Sequence, residues 1–592
     1  MRYHNLMLKL FKYLKPYLWQ VILLFAAVAL QVWTSLQLPA LMADIVNYGI
    51  AGGDLDYIWR TGLVMIGYTA LASVGALVSN FLSARVGTAF ARDVRNDLFQ
   101  HILQFSITEI DNFSTASLIT RTTNDITQVQ QAVTMCLSMA IRAPMTCILA
   151  IVQAIITAPD MTWIIALAVG VIVLVTVILM SIVMPKFKLI QQLADKVTLL
   201  ARENLTGLRV IRAFNNEKLE QRKFDRTNNE FAKLNVWVDV IMSLDNPLVS
   251  LVFNGVTLLC IWTGISLLHQ DLNYLGNMMA FMQYAIQVVM SFLFLTMLFV
   301  ILPRANVSAK RINEVMDTKS KIRWQEHTLG KPDLAPSVEF KHVDFSYAGA
   351  EEKVLRDISF VAKAGETTAF IGSTGSGKST LINLVPRFYD ATSGEIKING
   401  IKLQDYNQDD LMRRIGYVPQ RGVLFSGTIR SNILFGVPEA DDKVMKKAAK
   451  VAQATEFINQ LDKKYDSHIA QGGTNVSGGQ RQRLSIARAI AKDPDIYIFD
   501  DSFSALDMKT DAKLRHELKP VTQNAVTLIV AQRISTIKDA EQIVVLDKGK
   551  VVGKGNHYEL LQKCQIYREI AKSQLSEAEF TAEMKHKEVK NA

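Results

Sequence analysis

Long apolar stretches fill the first half of the chain, and short polar segments separate them. Six can be drawn, at about 18–38, 59–82, 136–158, 162–184, 247–268 and 278–302. Each can cross the ~30 Å hydrocarbon layer as a helix of ~20 residues. The first is of spanning length rather than the short core of a secretory signal, and no cleavable signal peptide is predicted. The helical period continues through the polar segments between spans with few Gly or Pro breaks, so the helices are expected to run well beyond the bilayer. They would turn over at short cross-pieces near Ile107–Ser114 and Val210–Glu220. Past residue 337 the apolar runs shorten to four or five residues, as in Thr367–Ile371 and Ile496–Phe499, the pattern of buried strands. The predicted fold class is a polytopic α-helical membrane domain, 1–316, a polar linker, 317–337, with Lys331-Pro332 and Ala335-Pro336, and an α/β domain, 338–570. The charged tail 571–592 is short of apolar periodicity from about Glu577 and is expected to fray or to form a helix without a core partner.

Charge orients this arrangement. Lys9, Lys12 and Lys15 precede the first span, and the loop 39–57 has no Lys or Arg but carries Asp44, Asp54 and Asp56. Arg85, Arg92, Arg95 and Arg121 follow the second span. The turn at Pro159 and the turn 269–277 lack positive charge, whereas the loop 185–246 is rich in it and Arg304, Lys310 and Arg311 follow the sixth span. By the positive-inside rule both termini, both long loops and the α/β domain are cytoplasmic. The net charge of +10 therefore tracks topology, and no nucleic-acid partner is expected.

Length alone demands at least two domains, since 592 residues exceed what one core holds. A 49% hydrophobic content and a mean hydropathy of +0.17 are high for a soluble enzyme of this size. Cys136, Cys147, Cys260 and Cys564 show no CxxC spacing and no clustering with His, so neither a disulfide framework nor a zinc site is indicated.

The chemistry starts after the strand Thr367–Ile371. Gly372, Ser373, Thr374, Gly375, Ser376, Gly377, Lys378, Ser379 and Thr380 form a glycine-rich loop that opens an apolar helix, the strand–loop–helix setting of a phosphate loop. Its glycines let backbone N–H groups converge on phosphate oxygens. Lys378 is positioned for the β- and γ-phosphates of ATP, and the Ser379 hydroxyl for Mg2+. Asp500 ends the second apolar run, where a buried strand delivers a carboxylate to the magnesium shell.

About a hundred positions after the phosphate loop, and before Asp500, stands Val476-Ser477-Gly478-Gly479-Gln480. With the phosphate loop and Asp500, it makes the chain resemble an ATP-binding cassette exporter half-transporter over nearly its whole length. The resemblance implies a transport ATPase that exports amphipathic compounds by alternating access as a pair of subunits. Tyr347 matches the aromatic that stacks on adenine, and Gln420 the glutamine that ligates Mg2+ and senses the membrane domain. Asp507, in Ser504-Ala-Leu-Asp507, matches the segment that crosses between paired cassettes. Glu109-Ile110-Asp-Asn-Phe113 and Val210-Ile211-Arg-Ala-Phe214 are similar to the two coupling regions. The signature residues would complete the ATP site of the partner, because paired cassettes close head to tail in this family.

Two positions depart from the family's pattern. Asp501 stands where the catalytic glutamate is expected and Gln532 where a histidine is expected. The missing methylene withdraws the carboxylate by ~1.5 Å, and a general base must lie within ~2.6–3.2 Å of its proton. A carboxamide at 532 hydrogen-bonds but does not shuttle a proton as imidazole does. Gln471 also replaces a glutamate common before the signature. The similarity therefore implies the degenerate subunit of a heterodimeric bacterial multidrug exporter in the plasma membrane, with hydrolysis mainly at the composite site that uses the partner's Walker motifs.

The sixth span carries Met278, Met279, Met282, Met290 and Met297 with Phe281, Phe292, Phe294 and Phe299, which suits helix packing and also a lining for varied amphipathic compounds. Gln283 and Gln287 share one face, expected to point inward. Asp44 fits a headgroup position or a gate, and Arg142 is expected to snorkel or pair in the inner half of an extended helix. A peptide or lipid exporter, and a non-hydrolysing regulatory subunit, are the alternative functions.

Overall fold

The computed structural model describes residues 5–268, 274–330, 332 and 335–585. Part of the expected turn 269–277, Lys331 of the linker, the Phe299 side chain and the tail 586–592 lie outside the described residues. The chain divides into two compact units, Met1–Leu103 with Thr115–Thr318, and Gln104–Ser114 with Lys319–Ala592. The first cross-piece is thus grouped with the α/β part, although sequence placed it within the membrane domain 1–316.

Six helices among the described residues are long and apolar enough to cross a membrane: Phe11–Ile50, Leu55–Leu103, Thr115–Thr157, Pro159–Thr206, Glu217–Ile265 and Tyr274–Leu295. They outrun the apolar stretches because nothing breaks the helical period at the edge of each. Leu55–Leu103 is one helix of 49 residues, about 70 Å at ~1.5 Å per residue. The second predicted cross-piece is a short helix, Leu208–Ala213, followed by a turn and a new helix from Glu217.

Apolar contact does not distinguish a neighbouring helix from lipid, so polar ties and small residues fix the packing. The Tyr284 hydroxyl donates to the Leu36 carbonyl at 3.0 Å, both inside the bundle. The Gly276 N–H, an orphan donor in the first turn of its helix, finds the Asn47 Oδ1 at 2.9 Å. Asn47 in turn donates to Asn277 Oδ1 at 3.2 Å. At the polar ends, Tyr13 and Tyr17 donate to Asp97 and Asp93 at 2.9 and 2.6 Å. Buried Asp125 accepts from Ser308 at 2.7 Å, and Arg121 pairs with Glu314 at 3.0 Å.

Among the described residues, twelve strands build the α/β unit: β1 Ser337–Phe345, β2 Leu355–Lys363, β3 Thr367–Gly372, β4 Ser393–Ile398, β5 Ile401–Lys402, β6 Ile415–Val418, β7 Gly427–Thr428, β8 His468–Ile469, β9 Ile496–Asp500, β10 Val526–Val530, β11 Gln542–Asp547 and β12 Lys550–Gly555. The main sheet runs β12-β11-β3-β10-β9-β6, parallel except for β12. An antiparallel sheet runs β2-β1-β4-β5. Successive side chains of a strand point to opposite faces, so each central strand serves two cores. Phe370, Ile498, Leu528 and Val544 enter the core shared with the antiparallel sheet. Ala369, Ile371, Tyr497, Phe499, Ile529 and Val545 enter the other, covered by helices that include Gly478–Ala491.

The described part of the expected linker is fastened to this unit. Asn407 donates to the Gln325 and Glu326 carbonyls at 3.0 and 2.8 Å, and the Arg387 guanidinium lies 4.7 Å over the Trp324 ring. The expectation for the tail needs correction. A helix runs Gln565–Gln574 across the boundary drawn at 570, and a second, Glu577–Lys585, packs Phe580 and Met584 on the core. Two apolar residues at i, i+4 are enough of a stripe for one turn of contact, too little to stand out among the surrounding charges.

A Cβ at Gly276 would collide with the Ala43 carbonyl and the Asn47 side chain. Gly276→Val is expected to cost roughly 1–3 kcal/mol by overpacking and to lower the melting temperature of the detergent-solubilised protein. An unchanged melting curve would show that this contact carries no stability.

Candidate functional site

Parallel register assembles the site. Val530 of β10 pairs with Phe370 of β3 and with Asp500 of β9, and Val418 of β6 pairs with Phe499. The residues at and just beyond the carboxyl ends of β3, β6, β9 and β10 therefore emerge side by side. They are the glycine loop, Gln420, Asp500 with Asp501, and Gln532. Crevices at the carboxyl ends of such strands are where open α/β sheets hold ligands.

The Ser379 hydroxyl donates to Asp500 Oδ1 at 3.0 Å. The Lys378 ammonium donates to the Gly372 and Ser373 carbonyls at 2.9 and 2.8 Å. Burial holds the Lys378 ammonium below its usual pKa, with Asp501 and Asp500 opposing that shift. Burial likewise pushes Asp500 and Asp501 above the ordinary aspartate value. Asp501 Oδ2 accepts from Gln532 Nε2 at 2.8 Å and from Gln420 Nε2 at 3.3 Å. Its backbone is left-handed, with φ of 47°, a conformation aspartate adopts more readily than most residues. The Asp501 N–H donates to the Val530 carbonyl at 2.9 Å, and the Ser504 hydroxyl to the Asp501 carbonyl at 2.8 Å.

These residues suit a magnesium-bound triphosphate. Gly375 has φ of +83° and open space where a Cβ would stand, while Gly377 has φ of +99° and a Cβ there would strike Leu355. The half-buried Lys378 ammonium is held by uncharged oxygens, so a polyanion would supply the missing partner. Ser379, Asp500 and Gln420 offer the oxygen ligands magnesium prefers. No group of three or more His, Cys, Asp or Glu side chains able to hold a metal occurs among the described residues, so a cation here would take its other ligands from phosphate and water.

Tyr347 stands beside the loop, its hydroxyl 2.9 Å from Thr380 Oγ1 and its ring edge-on to Tyr389 at 5.3 Å. Within the same unit the Tyr389 hydroxyl donates to Asp111 at 3.3 Å, in the short helix Ile107–Phe113 that carries Ile110 and Phe113. Phe113 stacks on Phe105, and buried Glu109 accepts from Ser106 to close a capping box. In the other unit, no residue of the helix Leu208–Ala213, which carries Ile211, is buried, and Phe214 is 71% exposed.

The signature stands apart from the phosphate loop, with no hydrogen bond or ion pair joining the two among the described residues. Ser477 caps the helix Gly478–Ala491, with Gln480 returning the bond to complete a capping box. Ser477 and Gly478 are exposed, and Val476 packs on the core. Gly479 faces the Ala505 carbonyl, so the signature adjoins the segment ending in Asp507. Asp507 caps the helix Met508–Leu518 through the Thr510 N–H at 2.9 Å.

Three contributors escaped the sequence reading. Buried Gln482 donates to the Pro419 carbonyl at 3.1 Å and accepts from the Gly422 N–H at 3.0 Å, tying the signature helix to the Gln420 loop. Arg488, brought down to about 10 by burial, braces that loop through the Val423 carbonyl. Gln574 bonds the backbone on either side of Arg533. Their partners are backbone groups distant in sequence, for which no local pattern exists.

On the membrane side, Arg142, Gln287, Ser35, Ser291, Met290 and Phe294 line a cavity of about 280 Å³. Gln287 is half-buried there as expected, whereas Gln283 is exposed.

Residues 21–292 match the ABC transporter transmembrane region and residues 355–504 the ABC transporter family. The chain is 38% identical over 574 residues to an uncharacterized ABC transporter ATP-binding protein of Mycobacterium tuberculosis (strain CDC 1551 / Oshkosh), covering 95% of this chain and 97% of that one. It is 32% identical over 579 residues to an ATP-dependent lipid A-core flippase of Hahella chejuensis (strain KCTC 2396), covering 96% and 97%. Among solved structures, a bacterial Atm1-family ABC exporter with ATP bound superposes with a TM-score of 0.79 at 25% identity, covering 94% of this chain and 98% of that one. Strands that deliver a phosphate loop and a carboxylate together, six spanning helices and these likenesses lead to one conclusion: the chain belongs to the ABC transporter family, as an exporter-type half-transporter with membrane region and cassette in one polypeptide.

Proposed function

We propose that this chain is the degenerate-site half of a heterodimeric exporter of amphipathic compounds, most consistent with multidrug efflux, in a bacterial plasma membrane. Its termini and cassette, 338–570, face the cytoplasm. Lys378, Ser379, Gln420 and Asp500 hold Mg-ATP, and Tyr347 stacks on the adenine. Bound magnesium would offset phosphate charge. Ser477 and Gly479 contact the ATP of the partner, and Asp507 lies where the cassettes meet. Closure on ATP passes through the segments around Ile110, Phe113, Ile211 and Phe214, and the membrane cavity changes from inward- to outward-facing.

The observation that carries the reading is the state of Asp501. One carboxylate oxygen accepts from two carboxamides, Gln532 and Gln420. Neither donor takes up a proton, so neither carboxamide can relay one away from the carboxylate. The side chain is also a methylene short of reaching an attacking water bound as glutamate would bind it. A second reading, lipid export, draws support from the Arg142-lined cavity and from the flippase among the relatives.

Asp501→Ala is expected to leave more than about half of the steady-state ATPase activity of the reconstituted complex. Replacing the catalytic glutamate of the partner should lower it by a factor on the order of 10², the share a general base supplies. A collapse with Asp501→Ala would overturn the degenerate-site assignment. Conversely, the double change Asp501→Glu with Gln532→His should raise phosphate release at this site severalfold when the partner's glutamate is removed. Release that stays at background would mean that these two side chains are not what limits the site.

A further inference from the structure

The helix Gln565–Gln574 is anchored by Tyr567 and Ala571, both fully buried, and the Tyr567 hydroxyl lies 2.7 Å from His557 Nδ1. That anchoring leaves the last residue, Gln574, facing the loop after β10. Its Nε2 donates to the Gln532 carbonyl at 2.7 Å, and its Oε1 accepts from the Ile534 N–H at 2.8 Å. One planar carboxamide thus satisfies a backbone acceptor and a backbone donor two residues apart, as a neighbouring strand would. The Ile534 amide opens the short helix Ile534–Ile537 and has no partner within it. Gln532 then donates its own side chain to Asp501 at 2.8 Å. The second C-terminal helix reinforces the clamp, for Ser576 and Glu579 cap it through bonds of 3.0 and 2.7 Å and Phe580 and Met584 hold it on the core.

We propose that Gln574 is a positioning residue of the ATP site: it fixes the loop 531–533 so that Gln532 reaches Asp501, and the two C-terminal helices become part of the site they adjoin. The functional half of this inference rests on the ATP-site reading of Asp501 and Gln532, whereas the clamp itself does not.

Hydrogen–deuterium exchange of the full chain in lipid nanodiscs, on peptides spanning 526–537, tests the clamp. Gln574→Ala should speed exchange at Ile534 roughly two- to tenfold, the worth of one net hydrogen bond. Gln574→Glu keeps the acceptor for Ile534 but loses the donor to Gln532, so Ile534 should stay near the parent while Gln532 and Arg533 quicken. Ser573→Ala, one residue earlier, should change nothing. Exchange at Tyr567 and Ala571 reports whether the helix itself has loosened, in which case Gln574→Glu carries the test. Ile534 exchange unmoved by Gln574→Ala, or raised equally by Ala and Glu, overturns the clamp. In the background of Asp501→Glu with Gln532→His, adding Gln574→Ala should lower kcat severalfold with the KM for ATP unchanged. An equal rise in KM would assign Gln574 to nucleotide binding instead and overturn the positioning role. If that background shows no gain in turnover while the exchange pattern holds, Asp501 and Gln532 are not what limits the site, the functional half of this inference fails, and the clamp stands.

Discussion

The cassette depends on the register of four parallel strands. Because Val530 is paired on one side with Phe370 and on the other with Asp500, the strand ends are level, and the glycine loop, the two aspartates and Gln532 leave the sheet at the same height. A shift of one residue in β9 would turn Asp500 and Asp501 to the opposite faces and exchange Phe499 for Ile498 in the cores. The alternation of large apolar side chains between two cores makes such a shift costly, so burial on both faces of the sheet sets the geometry of the site.

Charge inside the site is left deliberately incomplete. A half-buried ammonium and two adjacent carboxylates, all with pKa values moved by burial toward their neutral forms, make an electrostatic environment that anionic phosphate and a divalent cation would complete. Asp501 belongs to that environment, yet its carboxylate accepts from the neutral carboxamides of Gln532 and Gln420. Its backbone is left-handed, a conformation that aspartate adopts more readily than most residues.

The membrane unit is organised by a different constraint. Apolar periodicity drives its helices into lipid but does not choose their neighbours, and the choice falls to features such as the Gly276 amide on Asn47 and the Tyr284 hydroxyl on Leu36. Several of these bonds join residues more than two hundred positions apart, so each closes a long loop and contributes to specifying one arrangement of the bundle.

Sequence alone determined much of this protein. Six spans, the phosphate loop, Asp500 and the two departures at 501 and 532 are local patterns, legible because spanning length, strand burial and glycine conformation each depend on consecutive residues. The packing of the tail on the core was not legible there, since Phe580 and Met584 make a stripe of only two residues amid charge. Tertiary structure alone decided that Gln532 and Gln420 share one oxygen of Asp501, that Gln482 and Gln574 hold the loops around it, and that Asp111 reaches Tyr389. A glutamine carries no mark of its partner. Its carboxamide bonds to whatever backbone the fold brings near, and that proximity is settled by cores and registers far from it in the chain.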